Sequence, residues 1–304
     1  MSVIPRSWVI AVAVAFLLVP AGCGGRADEP LANADDNETA HTRPMDAGSD
    51  LGFVPATYRE GDRVVLPVTF PDRTSAELAY PSGLGIAELG VFPYSSGRLP
   101  RKSPTTEYGE VVGRDFWIRH GDLEDVLSVL NGATEPALLA RYQGAGGQVV
   151  GLWDLRSDDT ANRLGFQFGR WAVLVYDYER VGPAMTDAER GSWAANFIGR
   201  ETPDGFLLLE ASGPLRLARA GEGAGPQLTF SAANPARSLG LHPGECSPHR
   251  DQTRVVDGKL VEWSHGFADW CLSDSMRIHA TGGDEFIGAL IRELAVRNVI
   301  IANS

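Results

Sequence analysis

The stretch Leu164-Gly165-Phe166-Gln167-Phe168-Gly169-Arg170-Trp171-Ala172-Val173-Leu174-Val175-Tyr176-Asp177-Tyr178 decides the fold. Gly169-Arg170 has the glycine-first pattern of a two-residue type II′ turn, which predicts a hairpin with strands over Leu164 to Phe168 and Trp171 to Tyr178. Side chains alternate along a strand, so Trp171, Val173 and Val175 point one way and Ala172, Leu174 and Tyr176 the other. Both sets are apolar. Such a strand belongs in the middle of a sheet, with both faces covered.

Further hairpins lie on either side. Pro71-Asp72-Arg73-Thr74 combines a fixed φ with turn-forming side chains and separates strands predicted over Arg63 to Phe70 and Ala76 to Tyr80. Asp257-Gly258 predicts a third hairpin, with Val255 and Val256 before it and Leu260, Val261 and Trp263 after it. Cys246 and Cys271 bracket that hairpin in sequence.

Three helices interrupt the strands. Leu123, Val126, Leu127 and Leu130 keep helical spacing after Asp122, and Asn131-Gly132 supplies a stop. Thr186 and Glu189 form a capping box ahead of Trp193, Ala194, Phe197 and Ile198, which the spacing places on one helical face. Phe286, Ile287, Leu290, Ile291 and Leu294 repeat the pattern, with Arg292 and Arg297 placed near the negative end of the helix. Strands and isolated helices without βαβ alternation predict an α+β domain with a mainly antiparallel sheet. Residues 61–304 are long enough for one core. Gly213 to Gln227 is the best internal boundary, although a surface loop explains it equally well.

The N-terminus carries an address. Twelve apolar residues run from Trp8 to Val19 after Arg6, too few for the roughly 20 of a bilayer span but enough for a secretory h-region. Ala21-Gly22-Cys23 resembles the lipobox of bacterial lipoprotein signal peptides; Pro20 departs from it, because that family usually has an aliphatic residue there. The resemblance implies cleavage of residues 1–22, lipidation of Cys23 and a cell-membrane anchor facing outside the cytoplasm. Val19-Pro20-Ala21 also fits ordinary signal peptidase, which would release a soluble chain.

Cysteine parity favours the lipid. Acylating Cys23 leaves Cys246 and Cys271, two thiols on the oxidising side of the membrane, where pairing is the default. Residues 23–60 lose hydrophobic periodicity and include Ala34-Asp35-Asp36-Asn37-Glu38, predicting a disordered acidic tether that spans roughly 30–37 Å. Asn37-Glu38-Thr39 fits the N-glycosylation pattern, which the bacterial signal upstream makes accidental. The formal net charge is −12, and only Lys102 and Lys259 supply lysine. An acidic surface repels nucleic acid and anionic headgroups, so neither is an expected partner.

Catalytic signatures are missing: the sequence has no G-x-S-x-G, H-E-x-x-H, C-x-x-C, P-loop or S-x-x-K. Gly144 to Gly147 and the glycines around Gly223 read as turns. His242, Cys246, His249, His265 and Cys271 offer a zinc-type ligand set, but export favours a Cys246–Cys271 disulfide, and no metal or cofactor is expected. Ser264, His265 and Asp269 bring a nucleophile, a base and a carboxylate close in sequence, with Asp274 and His279 as further partners; triad members usually come from separate segments. Trp263 and Trp270 read as core more than as a sugar platform. Asp177 and Glu179 near Asp187 and Glu189 suggest paired carboxylates, but capping and the helix dipole already account for the last two.

The body also resembles lipoproteins of GC-rich Gram-positive bacteria through Val68-Thr69-Phe70-Pro71-Asp72, Phe168-Gly169-Arg170-Trp171 and Trp270-Cys271-Leu272-Ser273-Asp274-Ser275, a resemblance that implies no activity. The expectation is a non-enzymatic envelope domain that binds another envelope protein or a small ligand. The competing class is an exported hydrolase with its site around His265.

Overall fold

The computed structural model describes residues 52–101, 110–132, 135–155, 161–177, 184–222, 225–231, 237–246 and 253–302. The signal segment, Cys23, most of the tether, Glu179, Gly223 and His249 lie outside them.

The fold is α+β and mainly antiparallel. Its first half contains β1 (Tyr58–Glu60), β2 (Arg63–Thr69), β3 (Ser75–Pro81), β4 (Val91–Arg101), β5 (Glu110–His120), α1 (Leu123–Leu130), β6 (Ala137–Gln143), β7 (Val149–Leu155), β8 (Ala161–Phe168), β9 (Trp171–Asp177) and α2 (Asp187–Asn196). There follow β10 (Phe197–Glu201), β11 (Leu207–Ala211), β12 (Arg216–Leu217), β13 (Gln227–Ser231), β14 (Ser238–Pro243), β15 (Thr253–Val256) and β16 (Lys259–Ser264). The chain ends with β17 (Phe267–Ser273), β18 (Met276–Thr281), α3 (Asp284–Glu293) and β19 (Ala295–Ile300).

The large sheet runs β15-β16-β17-β18-β14-β13-β4-β5-β9-β8-β7-β6, with β12 added against β4. Its two halves have the same connectivity. Outward from the central β4–β13 pair, β4-β5-β9-β8-β7-β6 matches β13-β14-β18-β17-β16-β15. In each half the third strand outward, β9 or β18, leads to a helix, α2 or α3, and then to a short strand. That strand, β10 or β19, pairs outside the large sheet with β11 or β3 respectively. Trp193, Ala194 and Phe197 at the first helix–strand junction are buried at the same relative positions as Leu290, Ile291 and Leu294 at the second.

The three predicted hairpins form as β2–β3, β8–β9 and β15–β16. Gly169 has φ 60°, whereas Asp257 and Gly258 both have positive φ, the signature of a type I′ turn. All seven residues of β9 are buried. Trp171, Val173 and Val175 join one core with Trp193, Phe197 and Leu207, while Ala172 and Leu174 pack on the other face against Val126 and Leu127 of α1. A third core lies between the second half of the sheet, α3 and the β2–β3 hairpin.

The sequence places three boundaries differently from the structure. α2 ends at Asn196, so Phe197 and Ile198 begin β10 and point apart, Phe197 buried and Ile198 exposed. Arg297 lies in β19, where it pairs with Glu77 and Glu60, and not at the end of α3. Residues 53–60, assigned to the tether for their polarity, belong to the body. Phe53 bridges to Val91 and wedges between Trp171 and Phe206, with ring centroids 5.8 and 5.3 Å away, and β1 pairs with β2. A single apolar ring gave too short a signal there. The Gly213–Gln227 stretch contributes β12 to the large sheet.

Candidate functional site

The second-half sheet face brings several sequence candidates together. In register, His242 of β14 stands opposite Arg277 of β18, and His279 of β18 lies between Gly240 of β14 and Asp269 of β17. Gly240 makes room: a Cβ there would overlap the His279 ring. The ring leans across β14, and His279 Nδ1 comes within 2.6 Å of His242 Nε2, a hydrogen bond between imidazoles. Burial lowers His242 to about 4, helped by the charges of His279 and Arg277. Burial also lowers His279, with Asp269 opposing and Arg277 assisting.

Cys246 and Cys271 are bonded to each other, with Cα atoms 5.7 Å apart, within the usual disulfide range. Neither sulfur is therefore a free thiolate for zinc. Among the described residues no group of three or more His, Cys, Asp or Glu side chains is placed to hold a metal ion.

Ser264 and His265 are exposed at the β16–β17 turn. Asp269 lies two residues beyond the Ser264–Phe267 pair, about 7 Å at the strand rise, and its carboxylate accepts from Arg277 Nε at 2.8 Å. The acid is thus engaged elsewhere. Trp270 is buried in the core, and Trp263 packs on its margin beneath the Arg254 guanidinium, 4.2 Å from the ring.

The other carboxylates hold the scaffold. Asp177, buried at the end of β9, accepts from the Met185 N–H and from Arg190 Nε, and Arg190 also pairs with Asp187. Thr186 and Glu189 form the full capping box.

A cleft of about 500 Å³ lies between the turn of the β2–β3 hairpin, β11, the segment around β12, and the residues after β19. Apolar side chains line part of it: Leu209, Leu215, Leu217 and Ile301. Arg73, Arg216 and Arg219 add guanidinium groups, and Asp72 and Glu210 add carboxylates. The hairpin turn explains one wall. Phe70 and Thr74 close a three-residue loop in which Arg73 has φ 75°, and its side chain reaches the Glu210 carboxylate. Burial raises the Asp72 carboxyl, against the Thr74 N–H and hydroxyl that donate to it. Backbone hydrogen bonds tie the walls together, with Leu209 N donating to Pro71 O at 2.7 Å and Ala218 N to Ser96 O at 2.8 Å. Glu222 organises the far side by accepting from Arg216 Nη1 and from the Arg219 N–H, each at 3.0 Å. Burial opposes its charge, yet those donors and Arg98 hold it below the usual carboxylate range.

The sequence shows Arg73 as part of a turn and does not single out Arg216 or Arg219, because the arginines come from distant segments and match no motif. In comparisons with known proteins, no family model, no curated protein and no solved structure matches this chain.

Proposed function

We propose that this chain is an exported envelope lipoprotein, held at the outer side of the cell membrane through Cys23, whose body works by binding a small ligand or another envelope protein. The observation that carries this reading is the Cys246–Cys271 disulfide. Such bonds persist in oxidising compartments, and this one accounts for two of the three cysteines, leaving Cys23 beside the lipobox-like Ala21-Gly22. Binding is favoured over hydrolysis because the cleft beside β11 and β12 is lined by arginines, carboxylates and aliphatic groups, whereas Ser264 and His265 stand exposed on a turn and Asp269 is engaged by Arg277.

Metabolic labelling with a palmitate analogue tests the anchor. The wild-type chain is expected to label and to fractionate with membranes, and Cys23→Ala to lose the label. An unlabelled wild type recovered as soluble exported protein would replace the anchor with ordinary secretion, and a reduced, uncleaved chain in the cytosol would end the export reading. His265→Ala tests the rival: a hydrolase at that turn would lose turnover of an ester substrate without losing its fold.

A further inference from the structure

Building on the binding reading above, we infer that the cleft bounded by Arg73, Leu209, Arg216, Arg219 and Ile301 takes a small anion that carries an apolar arm, such as a phosphate monoester or a carboxylate. Three features support that ligand class. The first is charge. Arg73 is matched by Glu210 and Arg216 by Glu222, while Asp72 is engaged by the Thr74 N–H and hydroxyl. Arg219, exposed at the rim, makes no side-chain hydrogen bond or ion pair among the described residues. On a molecule of net charge −12 the cleft is thus close to neutral, and the unengaged Arg219 guanidinium suits the planar or forked oxygens of carboxylate and phosphate.

The second feature is the lining. Leu209, Leu215, Leu217 and Ile301 offer aliphatic surface beside the guanidinium groups, so a ligand with a short hydrocarbon arm gains burial that a bare anion does not. A volume of about 500 Å³ suits a small molecule. The third is rigidity. The Glu222 carboxylate fixes Arg216 and the Arg219 backbone, and the Leu209–Pro71 hydrogen bond ties the opposite wall, so the ordering that opposes binding is concentrated in the Arg219 side chain.

The test is calorimetric titration of the purified full chain with hexyl phosphate and with inorganic phosphate. Hexyl phosphate is expected to bind more tightly than inorganic phosphate. Arg219→Gln should weaken it about tenfold or more, while Arg59→Gln, an exposed change in β1, should not. Equal affinity in Arg219→Gln and wild type would overturn the inference, as would inorganic phosphate binding as tightly as hexyl phosphate. Sedimentation with phosphatidylglycerol vesicles adds a second arm: capture on vesicles without binding of hexyl phosphate would assign the arginines to a lipid surface and sink the small-ligand assignment. If hexyl phosphate fails to bind while Cys23 labels with palmitate, the cleft assignment falls and the envelope reading stands.

Discussion

His279 Nδ1 lies 2.6 Å from His242 Nε2, so two imidazoles on neighbouring strands share one hydrogen in a largely buried setting. The charged groups facing them are Arg277 and Asp269, joined to each other, with Glu262 beyond. Unfolded, each histidine titrates near 6.5; folded, His242 sits at about 4 and His279 is also lowered. The unfolded chain therefore takes up protons first. Stability is full above pH about 6.5 and declines as pH falls toward 4, by about 2 kcal/mol at pH 5 for His242 alone. Glu201 and Glu222, held below 4.5, lose their contributions mainly under that value, the lowered His120 adds a loss of the same sign and the raised Asp72 opposes it, so the difference between wild type and a His242 variant isolates the imidazole pair. Urea unfolding at pH 7.5, 6 and 5 measures the slope, which His242→Gln should flatten. Equal wild-type stability at pH 7.5 and 5 would refute the account.

The same pair depends on Gly240. Its Cα faces the His279 ring where any Cβ would overlap it, so Gly240→Ala must displace the imidazole or the strand. Overpacking of that kind costs about 1–3 kcal/mol. The variant should also lose part of the slope between pH 6.5 and 5, because the displaced ring no longer donates to or accepts from His242. Denaturation curves at the two pH values separate these effects; an Ala variant with wild-type stability and slope would mean that the ring does not rest there.

How far the sequence disclosed this arrangement depends on the range of each signal. The Gly169-Arg170 and Asp257-Gly258 turns, the fully apolar β9 and the Thr186–Glu189 box are local patterns, and each forms as read. The equivalence of the two sheet halves is a relation between distant segments. Trp193, Ala194 and Phe197 match Leu290, Ile291 and Leu294 in burial but not in identity, so self-comparison of the letters does not expose it. The helix spacing continued through Phe197 because strand residue 1 and helix residue 11 bury on the same side. His279 appeared only as a possible partner, since its meeting with His242 depends on the β14–β18 register and on an empty position at Gly240. The cleft arginines join through long-range pairing in the same way.

The disulfide closes a 25-residue separation and links the segment after β14 to β17. On the chain-entropy account such a loop is worth about 3 kcal/mol. Cys246→Ala with Cys271→Ala should therefore lower the unfolding free energy by about that amount, with Trp270 fluorescence reporting the same transition. Non-reducing peptide mapping of the wild type should recover the two cysteine peptides joined; recovery as separate alkylated thiols would remove the bond and with it the main support for export.

Arg73 occupies the left-handed region at φ 75° in the β2–β3 turn, a position where glycine is usual. Replacing it with glycine relieves about 1 kcal/mol of backbone strain but loosens the unfolded chain and removes an exposed ion pair with Glu210 worth at most about 1 kcal/mol. These terms nearly cancel. Arg73→Gly is expected to change stability by less than about 1 kcal/mol, whereas Arg73→Val, which keeps the strain and adds a β-branch, should cost about 1–2 kcal/mol. If the two variants unfold at the same urea concentration, the turn does not hold that conformation.

Asp177 links β9 to α2 through a carboxylate with no side-chain exposure, which accepts from the Met185 N–H and from Arg190 Nε. Removing it by Asp177→Ala strands a backbone donor and takes from the mostly buried Arg190 its buried carboxylate partner, leaving the exposed Asp187. Breaking one side of such a pair costs about 3 kcal/mol or more. Asp177→Asn keeps the shape and one oxygen acceptor but not the charge, so it should fall between alanine and wild type. Were these acids instead a catalytic pair, Asn would abolish turnover while sparing stability; a graded loss of stability, Ala greater than Asn, measured by urea unfolding at pH 7.5, identifies Asp177 as the group that fixes α2 against the sheet.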